Sequence, residues 1–365
     1  MMKSKCLPGD SKRFMHFLER LGEKALFRIE VLMDSKLGTI MVTGGAGCIG
    51  MQVCQQLRQR GFKVVLFDLP EQINRVVAFI PSDISLYYGS ILDSALVRDA
   101  MSGCDIVIHL AGYLGVRRTE MNKLRCLDIN YLGTQKVLDC AVQTRVGKIV
   151  YASSSEVYGE PLKNPVKESD QIAASSVYSA SKLGGEWLCR AYSERFPDLQ
   201  HTILRYFNIY GTFQTTQFVL PKFIHNVKND ISPVVFGHGN QVRSFCHADD
   251  AALLTIEAAL NDSANNEVIN IGNSKASCSM LDLANLVIDA SGKKRTLQPV
   301  IKNDFHEADR DEKREIFERS CDTAKAESLL GEKAKVDLSC GIERVYHEGL
   351  LFERWCSSDI QYEII

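Results

Sequence analysis

The stretch Thr43-Gly44-Gly45-Ala46-Gly47-Cys48-Ile49-Gly50 constrains this chain more than any other, because it follows the β-branched run Thr39-Ile40-Met41-Val42. That run reads as a buried parallel strand. Gly44, Gly47 and Gly50 are spaced for a tight turn, for close approach of backbone to a pyrophosphate, and for close packing of a helix on the strand. A helix starting near Cys48 would aim its free N–H groups and positive dipole end at the phosphates. A helix-period segment follows through Arg60, then a second apolar strand, Lys63 to Phe67, that ends at Asp68. An acid there can accept from both ribose hydroxyls of an adenosine and would repel a 2′-phosphate, so the order of elements predicts a site for NAD in preference to NADP.

The alternation continues. Ile84 to Tyr88 reads as a strand, Asp93 to Met101 as a helix and Asp105 to Leu110 as a central strand. A long helix from Leu124 to Thr144, a strand from Lys148 to Ala152 and a helix from Tyr178 to Phe196 complete the rhythm. This is the pattern of an α/β fold built on a doubly wound parallel sheet, the Rossmann arrangement, whose ligands sit at the carboxyl ends of the strands. Asp68, His109, Ser154 and Glu156 all fall at or just beyond such ends. From Arg205 the strands shorten and aromatics cluster, so residues 37–207 are expected to form the NAD-binding domain. Residues 208–365 are expected to form mainly a smaller α/β substrate-binding region, with a helix near Ala248 to Ala259 returning to the sheet. Residues 1–36 begin basic and carry helix-like patterning from Phe14 to Met33, which Arg28 and Glu30 make too charged for a signal peptide. They are expected to be a misassigned translation start or a loosely attached extension. The stretch Glu307 to Arg319 mixes charges of both signs, the pattern of a solvated face or loop.

A chain of 365 residues with 45% hydrophobic and 24% charged residues has the make-up of a soluble globular enzyme. Its formal net charge of -2 gives no global attraction to nucleic acid or to acidic membranes, and no apolar run approaches the ~20 residues of a membrane span. The 12 cysteines are scattered, with no C-x-x-C pair and no Cys/His cluster at zinc spacing. A reduced, cytoplasmic protein without a metal is the expectation.

Tyr178 and Lys182 are four residues apart on a helix and so share a face. A neighbouring ammonium and the positive nicotinamide would both lower the phenol's pKa, which makes Tyr178 a general base. Lys182 would also reach the nicotinamide ribose, and Ser154 lies at a strand end between the two motifs. His109 and His247 read as backbone-positioning or core histidines.

Taken in order, several motifs resemble the extended short-chain dehydrogenase/reductase family. They are Thr43 to Gly50, Asp68, His109-Leu110-Ala111-Gly112, Asn130, Ser153-Ser154-Ser155, Tyr178-x-x-x-Lys182 and Arg205-Tyr206-Phe207-Asn208-Ile209-Tyr210-Gly211. The members of that family are nucleotide-sugar epimerases, dehydratases and decarboxylases. The resemblance implies Ser154, Tyr178 and Lys182 as the catalytic set. It implies cofactor contacts at Gly44, Gly47, Cys48, Ile49, Gly50, Asp68, Ile91, Leu110, Ala111 and Lys182. It implies substrate contacts at Asn208, at Leu220 in the segment lining the nucleobase, at Arg243 on the diphosphate, and at a late arginine taken as Arg310, with Arg314 and Arg319 close by. Where the family often places Asp before the position of Ile91, this chain has Ser90. The resemblance further implies a nucleoside-diphosphate sugar as partner and a homodimer built on the helices Leu124 to Thr144 and Tyr178 to Phe196.

By the same resemblance, Tyr178 removes the O4 proton of the sugar while a hydride leaves C4, giving a transient 4-keto sugar from which the subclasses diverge. Ser155-Glu156-Val157-Tyr158-Gly159 is similar to dehydratases and uronate decarboxylases, in which Glu156 would act at C5 or C6. Ser155, however, stands where glucose-type dehydratases have their acid. The expectation is a 4-epimerase, with a 4,6-dehydratase or uronate decarboxylase using Glu156 as the alternative. A non-catalytic NAD-binding regulatory protein is the alternative of another class.

Overall fold

The computed structural model describes residues 38–303 and 315–349. The helix-like patterning from Phe14 to Met33, Arg310 and Arg314 therefore lie outside the described residues.

Seven parallel strands form the central sheet: β1 Thr39–Thr43, β2 Lys63–Asp68, β3 Ser85–Tyr88, β4 Ile106–His109, β5 Lys148–Ser154, β6 Gln200–Tyr206 and β10 Glu267–Ile271. Their order is β10-β6-β5-β4-β1-β2-β3. The continuous apolar runs of the sequence become strands covered on both faces, as all seven residues of β5 show. From β1 the chain moves to one side through β2 and β3, then crosses to β4 on the other side of β1. The crevice between β1 and β4 is therefore the topological switch point at which ligands of such sheets bind.

The glycine turn fills that switch point. Gly44 has φ +69° and its N–H donates to the Phe67 carbonyl at 2.9 Å. A Cβ on Gly44 would lie 2.6 Å from the Ala111 nitrogen, so the two loops touch backbone to backbone. The helix Cys48–Gln59 buries Met51, Val53, Cys54 and Leu57. The helix Ala248–Leu260 packs against it, joined by the Arg60–Glu257 ion pair at 2.7 Å and by Gln56 donating to the Asp249 carbonyl.

Residues beyond 208 contribute to the large sheet through β10 and also form a second sheet. In that sheet β9 Val242–His247 pairs with β7 Asn208–Tyr210, β11 Ser277–Ser279 and β13 Glu318–Arg319; β8 Val234–Phe236 and β12 Val300–Lys302 pair as a separate two-stranded sheet. These strands and the helices Val219–Lys228, Met280–Ser291 and Leu338–Glu348 surround an apolar cluster of their own, with Phe223, Phe245, Leu283 and Ile342 inside it.

Two expectations are corrected. The helix expected from Leu124 to Thr144 is interrupted: Lys123–Leu127 and Gly133–Thr144 are α-helical, and Asp128–Leu132 between them is a π turn. The stretch ending at Arg319 is not simply a solvated face, because β13 pairs with β9 there and Arg319 is buried.

Among the described residues no helix is long and apolar enough to cross a membrane and no cluster of side chains has the make-up of a metal site. All described cysteines are free, and all but Cys48 and Cys340 are buried.

A Cβ on Gly50 would collide with the Gly44 carbonyl oxygen and the Gly45 backbone, neither of which can yield without opening the turn. Gly50→Ala is expected to destabilise the fold by about 2 kcal/mol or more, read by urea unfolding.

Candidate functional site

The carboxyl ends of β1, β2, β4 and β5 open into a cavity of about 1010 Å³ that extends to β8 and to β9 of the four-stranded second sheet. Its first wall is the glycine turn. Gly47 caps the helix Cys48–Gln59 without a side-chain hydrogen bond, which leaves the N–H groups of the first turn, from Cys48, Ile49 and Gly50, for an anion in the cavity. Asp68, at the end of β2, accepts from the Ala46 N–H at 3.0 Å and the Leu69 N–H at 2.8 Å. Burial nevertheless pushes its carboxyl up to about 6, against the pull of these two bonds. Ser90, Ile91, Leu110 and Ala111 complete this wall. A phosphate cradle that a Cβ on Gly44 would fill, uncapped helix donors and an acid at the next strand end fit a dinucleotide.

The second wall carries Ser154, Tyr178 and Lys182. Ser176 starts the helix Val177–Arg195 with a capping box: its Oγ accepts from the Ser179 N–H at 3.0 Å, and the Ser179 Oγ accepts from the Ser176 N–H at 2.9 Å. That fixes the first turn, which bears Tyr178. Ser154 lies close enough to Tyr178 to pull its phenol down, and Ser154 accepts from the Glu156 N–H at 3.2 Å. Lys182, one turn on, is buried and donates to the Ala152 carbonyl at 2.8 Å, with its nitrogen 6.0 Å from the Tyr178 ring centre.

The expected lowering of the Tyr178 pKa is not what this wall alone produces. Burial pushes the phenol up, with the neighbouring Ser154 opposing. Burial also pulls the Lys182 ammonium down to about 8.

Asn130 joins the two walls from within the π turn. Its Oδ1 accepts from the Tyr113 N–H at 2.6 Å, while its Nδ2 donates to the Tyr113 carbonyl at 2.9 Å and to Ser181 Oγ at 3.1 Å. An irregular helical turn beside a site is a common way of aiming one side chain. His109 is structural: its Nδ1 meets Thr43 Oγ1 at 2.7 Å and its Nε2 meets Thr134 Oγ1 at 3.1 Å, and burial holds it down to about 3, hence neutral.

Asn208, Leu220 and Arg243 line the far part of the cavity. Arg243 is buried and donates to Glu315 at 2.8 Å. Of the late arginines, Arg310 was the one expected here; Arg319, on β13, lines the cavity and donates to Glu156 at 2.6 Å. The sequence offered Arg319 only as one of three candidate late arginines, with no sign of its pairing with Glu156 or of Glu315, because both residues sit in a stretch whose mixed charges carry no periodicity.

The model of the NAD dependent epimerase/dehydratase family matches residues 40–272. A putative UDP-glucose 4-epimerase of Methanocaldococcus jannaschii is 34% identical over 84% of this chain and 96% of its own length. A UDP-N-acetyl-alpha-D-glucosaminuronate decarboxylase of Bacillus cytotoxicus is 33% identical over 64% of this chain and 74% of its own. Among solved structures, UDP-glucuronic acid 4-epimerase of Bacillus cereus, in complex with UDP-glucuronic acid and NAD, superposes with a TM-score of 0.74 at 30% identity, covering 84% of this chain and 98% of that one. A match over most of the chain, joined to a cavity built for a dinucleotide, makes this protein an NAD-dependent enzyme of the epimerase/dehydratase family.

Proposed function

We propose that the enzyme acts on a nucleoside-diphosphate sugar through a transient 4-keto sugar and that its net reaction is 4-epimerisation. The juxtaposition of Ser154 and Tyr178 on the wall of the cavity that the glycine turn also lines carries this reading. NAD, when bound, supplies the acceptor and later the donor of the C4 hydride.

The chain's own residues handle the proton and the charge. The Tyr178 oxygen takes the proton of the sugar hydroxyl, and Ser154 hydrogen-bonds the same sugar oxygen, so both act on one carbinol. Since burial alone opposes the tyrosinate, base action requires positive charge beside the phenol, and Lys182 supplies one such charge from the next turn. Asp68 holds the adenosine ribose. Asn208 and Arg243 take the diphosphate, and Leu220 lies against the nucleobase.

A second reading is favoured by one observation. The Arg319 guanidinium, paired to Glu156 two residues beyond Ser154, puts a fixed cation on the wall next to the reacting hydroxyls. A sugar with a carboxylate at C6 would use it, and loss of carbon dioxide from the 4-keto uronate is the reaction that such a pair supports.

For assembly, a homodimer fits the exposed face of the helices Lys123–Leu127 and Val177–Arg195, where Leu124 is 66% and Trp187 63% exposed. Leu124→Glu is expected to shift sedimentation from dimer to monomer.

Incubation with UDP-, GDP- and dTDP-sugars, followed by mass and NMR analysis, separates the chemistries. Inverted C4 at unchanged mass means epimerisation, and loss of carbon dioxide from a uronate means decarboxylation. Tyr178→Phe is expected to lower kcat by about a hundredfold to ten-thousandfold; retained turnover would refute its role as base. Because ribose hydroxyls donate to the ionised Asp68, NAD affinity is expected to fall as pH drops through about 6, with a proton released on binding below that point. Asp68→Asn is expected to flatten this dependence and to weaken NAD about tenfold at neutral pH, measured by calorimetry.

A further inference from the structure

Arg319 on β13 and Arg243 on β9 are register partners in a parallel pair, and both line the cavity. Two like charges placed opposite each other across neighbouring strands repel, and both side chains are almost fully buried, at 3% and 9% exposure. A buried cation needs a counter-charge. Each has one: Glu156 lies 2.6 Å from Arg319 Nη2, and Glu315 lies 2.8 Å from Arg243 Nη2.

The two carboxylates are mounted differently. Glu156 belongs to the 3-10 turn Ser155–Tyr158 that follows the catalytic serine. Glu315 lies three residues ahead of β13, outside any helix or strand, and is itself part of the cavity wall.

We propose that Glu315 is a resident counterion that Arg243 exchanges for the diphosphate of the incoming substrate, so that this residue sets how strongly anionic a ligand must be to occupy the wall. The proposal rests on the reading of the cavity as a nucleotide-sugar site. A carboxylate and a phosphate oxygen are both charge-assisted acceptors for the same guanidinium N–H groups. Occupation of those groups by Glu315 keeps Arg243 neutralised and oriented before substrate arrives, and subtracts from the affinity of whatever displaces it. The carboxylate, once released, remains near the bound diphosphate and repels it, which favours departure of the product.

Calorimetric titration of the full chain with UDP, GDP and dTDP, each alongside its own nucleoside, tests this. For whichever diphosphate binds the unaltered protein, Glu315→Gln is expected to tighten binding about fivefold or more, and to leave nucleoside binding within about twofold. Glu315→Asp, one methylene shorter and still an anion, is expected to tighten it less; it decides the matter if the glutamine variant does not fold. Diphosphate binding that is unchanged or weaker in the folded variants overturns the role of Glu315 and leaves the nucleotide-sugar reading standing. No binding of any diphosphate, to the unaltered protein or to the variants, overturns that reading and this inference with it.

Discussion

The structure depends on a contact between two backbones. At the crevice between β1 and β4, Gly44 approaches Ala111 so closely that no side-chain carbon fits between them, and the register pair Thr43 and His109 locks the strand ends just behind. Because the contact is made by main chain, the cavity floor has a fixed shape that does not depend on rotamers. The helix donors, Asp68 and the loop from Leu110 to Tyr113 all take their positions from it.

Burial then sets the electrostatics of the site. It raises Asp68 and Tyr178 and lowers Lys182 and His109, in each case disfavouring the charged form. At neutral pH His109 and Tyr178 are thereby held uncharged, while Asp68 at about 6 and Lys182 at about 8 keep their charge with little to spare. The ion pairs of Arg243 and Arg319 follow the opposite rule: permanent cations are kept on the wall, and carboxylates of the same chain neutralise them.

Much of the large sheet was legible in the sequence because its strands are buried on both faces and read as unbroken apolar runs, and because Gly44, Gly47 and Gly50 leave few alternatives for the turn. Tyr178 and Lys182 were legible through helical spacing. The π turn at Asp128–Leu132 was not, since one extra residue per turn leaves no mark on a periodic pattern as short as this. Arg319 could not be singled out from Arg310 and Arg314 for another reason: a two-residue strand has no periodicity, and its pairing is with β9, far away in the chain. The upward push of burial on Tyr178 was not legible because the spacing of charges along a helix says nothing of how dry the surroundings of the phenol are.

Asn130 gives the cavity a mechanical property. One carboxamide grips both backbone groups of Tyr113 and, through Ser181, the opening turn of the helix that bears the phenol. The cavity loop from Leu110 to Tyr113 and the start of that helix are thereby clamped to a single point, as two blades of a pair of tongs are to their rivet. Neither the loop at Tyr113 nor the opening turn at Tyr178 can shift without breaking a hydrogen bond of this clamp.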